Sequence, residues 1–411
     1  MAVPGALHRN RREFGRLALA AGGCAIFPGW LRAAGNRAPK PAPASPGVTG
    51  PDSLRAHAAA RGLLYGSAVI PSLLDVEALT ARKQPNGYTE LVAAQAGILV
   101  AENAMQWDSM RPAPDTFDFS QADRLFRFAG WARQLVRGHD LCGHSQLPLW
   151  FKSHATKENA RKLLVDHIRV VAGRYQGQLH SWDVVNEAVE PADGRADGLR
   201  KSPWLEVMGP EYIELAFRTA AEADPRARLA YNDYGIELDT AEQSSKRGQV
   251  LLLLRRLKAR GVPLHAVGVQ SHLRAGGPEA GAGLIEFIRE CAGMGLEVYI
   301  TEMDVNTHGL PGGPEAQDAG VARVYSSFLG MVLAEPNVVA VLTWGLTSAH
   351  SWLNVTNEEW AKRPDGARQR PLPFDDSLRP TPAFWSLRSA LDGVRRAAPL
   401  PVQKPVAVPG P

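Results

Sequence analysis

Cysteine is scarce: three in 411 residues. One of them, Cys24, falls in the N-terminal segment. Cys142, read in a strand, and Cys291, in a helical stretch, cannot make a disulfide framework, which excludes a small cross-linked scaffold. No apolar run is long enough to span a bilayer; residues 17–27 come nearest and are short and glycine-rich. The histidines lack His-Glu-x-x-His or comparable spacing, so no metal site and no cofactor is expected. No glycine-rich phosphate loop follows the first predicted strand, which argues against a nucleotide-binding open sheet. An excess of one charge is missing too. The formal balance of +4 arises in residues 1–40, which hold seven Arg or Lys against Glu13 alone, and the rest of the chain sums to −2. Nothing there recommends a nucleic-acid partner.

What the basic segment offers is an address. Arg11-Arg12 precedes the mildly apolar run at 17–27, and such a pair resembles a twin-arginine export signal. Cys24 weakly resembles a lipoprotein cleavage site, a minor alternative. The chain divides into an export signal over 1–36, a Pro/Ala/Gly linker over 37–52, a catalytic domain over 53–396 and a flexible tail over 397–411. Export to the periplasm or the exterior follows from that reading.

Between the linker and the tail, β-rich runs alternate with amphipathic stretches. The strands are predicted at 63–70, 97–102, 134–142, 180–186, 228–232, 266–271, 297–301 and 338–344. Helices are predicted at 121–134, 160–175, 211–223, 244–260, 281–294 and 317–334, with Gly130, Gly261 and Gly295 as C-terminal stops. Eight such units imply an α/β fold closed as a (β/α)8 TIM barrel. A doubly wound open sheet is the alternative.

In that barrel, reactive residues sit at the C-terminal ends of strands. Seven of the eight ends carry them: Glu102-Asn103, His139 with His144, Asn186-Glu187, Asn232-Asp233, Gln270 with His272, Glu302 with Asp304, and Trp344. Glu187 and Glu302 dominate. Each carboxylate ends an apolar run, where burial is costly unless the charge is used or paired. Two carboxyls about 5–5.5 Å apart suffice for retaining hydrolysis of a glycosidic bond, one as nucleophile and one as acid, then base. Asn186 is placed to hydrogen-bond a sugar 2-hydroxyl. His272 and Asp304 are placed to orient Glu302, with Gln270 taken to share a strand face with His272. Trp344 and Trp352 are candidates to wall the sugar pocket.

These segments resemble glycoside hydrolase family 10, chiefly retaining endo-β-1,4-xylanases. The resemblance runs from about residue 63 to 385. It is carried by Glu102-Asn-Ala-Met-Gln-Trp107, the stretch from Arg137 to Trp150, Trp182-Asp-Val-Val-Asn-Glu187, Asn232-Asp-Tyr234, Gly268-Val-Gln-Ser-His272, Ile300-Thr-Glu-Met-Asp304, and Trp344 through Trp352. It implies Glu187 as acid/base and Glu302 as nucleophile. Glu102, Asn103, Gln106, His139, Asn186, Gln270, His272, Trp344 and Trp352 would contact sugar. The implied partner is a β-linked polysaccharide, handled by a monomer.

Two departures stand out. The family usually has lysine where this chain has Gln106, and tryptophan where it has Gly143. Losing the indole removes stacking worth about 1–3 kcal/mol and is expected to leave space. A pentose fills a small pocket, whereas a hexose needs room for a hydroxymethyl. The expectations are therefore an exported endo-β-1,4-xylanase, the same chemistry on a decorated or non-xylan β-glycan such as a bacterial exopolysaccharide, or a weakly active glycan-binding barrel.

Overall fold

Eight parallel strands close on themselves in the computed structural model, which describes residues 48–394. They are β1 (Leu64–Ala68), β2 (Ile98–Val100), β3 (Leu135–His139), β4 (Ser181–Asn186), β5 (Arg228–Asp233), β6 (Ala266–Val269), β8 (Glu297–Asn306) and β9 (Val338–Thr343). Neighbours pair in sequence order, β6 pairs with β8, and β9 returns to β1. Helices run between the strands and cover the outer face of the sheet, while the inner face closes on its own side chains. The expected (β/α)8 barrel is the observed fold. The export signal, most of the linker and the tail lie outside the described residues.

Strand alternation decides what fills the barrel. Ile98 and Val100 pack inward with Ala68, Ala230, Ala266, Tyr299, Ala340 and Leu342. Leu99, Val298, Ile300 and Val341 face the helix layer instead. The interior therefore mixes alanines with a few large side chains, and one of these is charged. Arg137 is buried against the Tyr299 ring and bonded to Asp183.

A ninth strand, β7 (His272–Arg274), pairs only with the extension of β8, in the register His272 to Asp304. Three residues are too few to show a period, and β8 outruns its predicted end at 301 by five residues. Gln270 and His272 are thus not on one continuous strand: β6 stops at Val269, and Ser271 turns the chain with φ of 63°. Their side chains reach the same site through this turn, not through a shared face. Cys142 likewise lies beyond the end of β3, in the loop after it, buried as a free thiol.

Gly130 does not end its helix. Ser120–Ala132 runs through it, and Arg133 ends it with φ of 53°. A glycine costs a helix interior only about 1 kcal/mol. Tertiary bonds set the stop: Gln134 donates from its backbone to Ala129 and from its side chain to the Val92 and Ala96 carbonyls. Gly261 and Gly295, with φ of 64° and 71°, do follow helix ends, after Ala241–Ala259 and Ala282–Gly293.

Behind the site, His167 is stacked on Trp107 at 3.7 Å, and neither ring nitrogen has a hydrogen-bond partner. Burial, reinforced by the Arg111 cation, pushes its pKa well below 6.5. The unfolded chain therefore takes up a proton below pH 6.5 that the fold refuses, and stability falls as pH falls. His167→Phe is expected to raise stability by about 1 kcal/mol near neutrality, because it removes an unsatisfied buried donor. The gain should grow at pH 5, as read from urea unfolding at the two pH values.

Candidate active site

The C-terminal ends of the strands gather the predicted residues, and local backbone irregularity aims them. Opposite β9, β8 carries one extra residue between Ile300 and Met303. This bulge breaks alternation, so the consecutive residues Thr301 and Glu302 both reach Asn232. Thr301 Oγ1 donates to Asn232 Oδ1 at 2.8 Å, and Asn232 Nδ2 donates to Glu302 Oε1 at 2.8 Å. Gly268 on β6 makes room for this arrangement, since a Cβ there would lie 2.0 Å from Asn232 Oδ1.

Glu187 follows β4 directly, with φ of 59°. Left-handed backbone costs a non-glycine residue about 1–3 kcal/mol and persists where surroundings over-determine it. Here they do. The Glu187 N–H donates to the Asn232 carbonyl, and its own carbonyl accepts Arg200 Nε at 2.7 Å. Arg200 is held in turn by Tyr234 and Glu190. Glu102 shows the same backbone habit, with φ of 45°.

The two candidate carboxylates are joined by a string of amides. Gln270 Nε2 donates to Glu187 Oε1 at 2.8 Å and reaches Asn186 Oδ1 at 3.5 Å. Asn232 Nδ2 joins the other side of Asn186 Oδ1 at 2.9 Å and then Glu302. Asn186 thus spends its carbonyl on the string and leaves its NH2 toward the cleft. His144 Nδ1 lies 3.4 Å from Glu187 Oε2.

Glu302 has a second, charged partner. His272 Nε2 lies 3.2 Å from Glu302 Oε2, and its Nδ1 lies 2.9 Å from Asp304 Oδ1. Trp352 Nε1 donates to the other Asp304 oxygen at 2.6 Å. Burial alone would lower the His272 pKa, but Asp304 and Glu302 outweigh it and raise the ring to about 10. His272 is therefore a cation across the neutral range, and Glu302 faces an imidazolium and an amide N–H, donors that suit an anion. His139 is similar: burial lowers its pKa, while the Asp183 hydrogen bond and neighbouring carboxylates lift it to about 9. Its Nδ1 is engaged at 3.0 Å by Asp183 Oδ2.

Trp344 stands edge-on to His139 and His272, and Trp352 edge-on to His272. Glu102 lines a recess with Tyr88, Trp344 and His350, and burial pushes its carboxyl up to about 7. Asn103 is exposed at the rim. Gln106 is buried, with Oε1 unpartnered. All the residues singled out lie at this end, although Asn103 and Gln106 take no part in the hydrogen-bonded string.

The space expected at Gly143 is not empty. The Asp140 carboxyl lies against that glycine, and a Cβ at 143 would sit 2.5 Å from Asp140 Oδ2. Asn232 and His144, placed at strand ends by the sequence but given no role there, prove to touch the carboxylates. Asp140 carries no such signal, because a lone acid after a histidine is an ordinary loop residue. Among the described residues no group of three or more His, Cys, Asp or Glu could hold a metal ion, and no helix is long and apolar enough to cross a membrane.

Comparison with known proteins agrees with this geometry. A family model for glycosyl hydrolase family 10 matches residues 53–390. Beta-1,4-xylanase of Dictyoglomus thermophilum is 34% identical over 310 residues, covering 73% of this chain and 83% of its own. Endo-1,4-beta-xylanase 5 of Pyricularia oryzae is 33% identical over 366 residues, 88% and 84% of the two chains. Among solved structures, xylanase 10B from Thermotoga petrophila in complex with xylobiose superposes with a TM-score of 0.72 at 32% identity, covering 83% of this chain and 97% of that one. A family model over most of the chain, and relatives a third identical across it, make this protein a member of glycosyl hydrolase family 10.

Proposed function

We propose that the chain hydrolyses internal β-1,4 bonds of xylan, or of a closely related β-glycan, with retention of configuration. Glu302 is the nucleophile and Glu187 the acid, then base. The observation that carries this reading is the amide string Gln270–Asn186–Asn232, which holds one carboxylate at each end. The xylanase relatives supply the substrate class.

In the first step a Glu302 oxygen attacks the anomeric carbon while the bond to the leaving oxygen breaks and takes the Glu187 proton. In the second, water attacks the glycosyl–enzyme ester, gives its proton to Glu187 and releases Glu302. The free NH2 of Asn186 is placed for a 2-hydroxyl, a contact that strengthens as the anomeric carbon gains positive charge. His272, fixed by Asp304 and Trp352, keeps Glu302 pointed at that carbon.

The test is the anomer formed. Proton NMR of xylotetraose hydrolysis should show the β-anomer first, with the α-anomer growing in only by mutarotation. An initial α-product would end the double-displacement reading. A second reading, the same chemistry on a glycan with sugars other than xylose, is favoured by one observation, the Asp140 carboxyl seated against Gly143.

A further inference from the structure

The space beside Gly143 has a definite occupant. Asp140 follows β3, and its two carboxyl oxygens lie 2.5 and 3.3 Å from where a Cβ on Gly143 would begin. Any side chain at 143 would displace the carboxyl, so the two positions act as a pair. The glycine leaves room beside it, and the Asp140 carboxyl takes that room.

The carboxyl is also unspent. Asp140 is only 5% exposed, and no described residue hydrogen-bonds its side chain. Buried polar groups normally find partners. Its oxygens nevertheless are not among the side-chain atoms sealed from solvent without a partner, so solvent or a ligand can reach them. Burial pushes the group up to about 7; His139 pulls it down, and the Asp183, Glu187 and Glu302 carboxylates push it further up. A carboxyl poised there can both donate to and accept from a hydroxyl.

What arrives to meet it follows from sugar chemistry. Xylose and its hexose counterpart share every ring hydroxyl and differ by one hydroxymethyl. A hydrogen-bonding carboxyl where the family usually carries an indole suits that added group, whereas a pentose would leave the carboxyl unpaired. We propose that Asp140, seated against Gly143, is a specificity-determining residue that hydrogen-bonds the hydroxymethyl of a β-linked hexose at the cleavage position. The proposal rests on the glycosidase reading above and extends its substrate class to glycans that place a hexose there.

The experiment compares kcat/KM on an aryl β-cellobioside with that on the matching aryl β-xylobioside, for the wild type, Asp140→Ala, Asp140→Asn and Gly143→Ala. Loss of a single hydrogen bond to a hydroxyl is expected to lower the cellobioside-to-xylobioside ratio about tenfold in Asp140→Ala. Gly143→Ala, which pushes the carboxyl aside, should move the ratio the same way. Asp140→Asn, which keeps the shape and the hydrogen bond, should restore most of it. Thermal unfolding of each variant checks the fold, and the ratio is insensitive to the fraction folded. Equal losses on both substrates, or an unchanged ratio in Asp140→Ala and Gly143→Ala, would overturn the assignment while leaving the glycosidase intact. A wild type that cleaves neither glycoside would instead bring down the reading on which the proposal rests.

Discussion

Replacing Glu302 with alanine is expected to lower kcat on a xylo-oligosaccharide by on the order of 10⁴-fold or more. Neither Asp304 nor Glu187 is free to attack in its place. Asp304 has both oxygens committed, one to His272 and one to Trp352, and Glu187 is held at the far end of the amide string. Oligosaccharide binding should survive within about tenfold, because Asn186, His139, Trp344 and Trp352 are untouched and a single lost hydrogen bond is worth about 1 kcal/mol. Calorimetric titration with xylotetraose measures that, and reducing-sugar release measures the chemistry. Hydrolysis at the wild-type rate would remove Glu302 from the mechanism. Loss of binding in step with loss of rate would mean that the carboxylate serves to hold sugar.

The fold is readable because burial on both faces writes parallel strands as short apolar runs, and because most runs lead into a polar residue where the barrel opens. That gave all eight barrel strands and, with them, the end of the barrel where Glu102, Asn186, Glu187, Gln270, His272 and Glu302 meet. What stayed hidden was set by irregular backbone. The bulge that lets Thr301 and Glu302 both touch Asn232 is a one-residue insertion with no side-chain signature. The left-handed turn at Ser271, which separates Gln270 from His272, carries no glycine to announce it. The pairing of His272 with Asp304 comes from a three-residue strand, too short for periodicity. Gly143 was visible as a missing indole, but its partner was not. Only the folded chain brings a carboxyl three residues upstream into contact with that glycine.

Glu187→Ala is expected to separate the two chemical steps, and the separation assigns the residue. With a xylo-oligosaccharide the leaving alkoxide needs a proton, and losing the general acid should cost on the order of 10³-fold in kcat. A dinitrophenyl xylobioside leaves without one. Its first step should stay fast, producing a burst of phenol equal to the enzyme concentration, followed by slow turnover limited by water that no base activates. Azide needs no base, so added azide should speed this slow phase and yield the β-xylobiosyl azide. The rescue depends on Glu302 remaining in place on His272 and Asn232, neither of which touches the Glu187 carboxylate among the bonds described. An equal loss on both substrates, without burst or rescue, would put the proton with another group. His144, 3.4 Å from the Glu187 carboxylate, would be the first to examine. The burst with rescue, by contrast, requires that a single carboxyl serve both proton transfers, a role open to a group that faces the leaving oxygen in one step and the incoming water in the next.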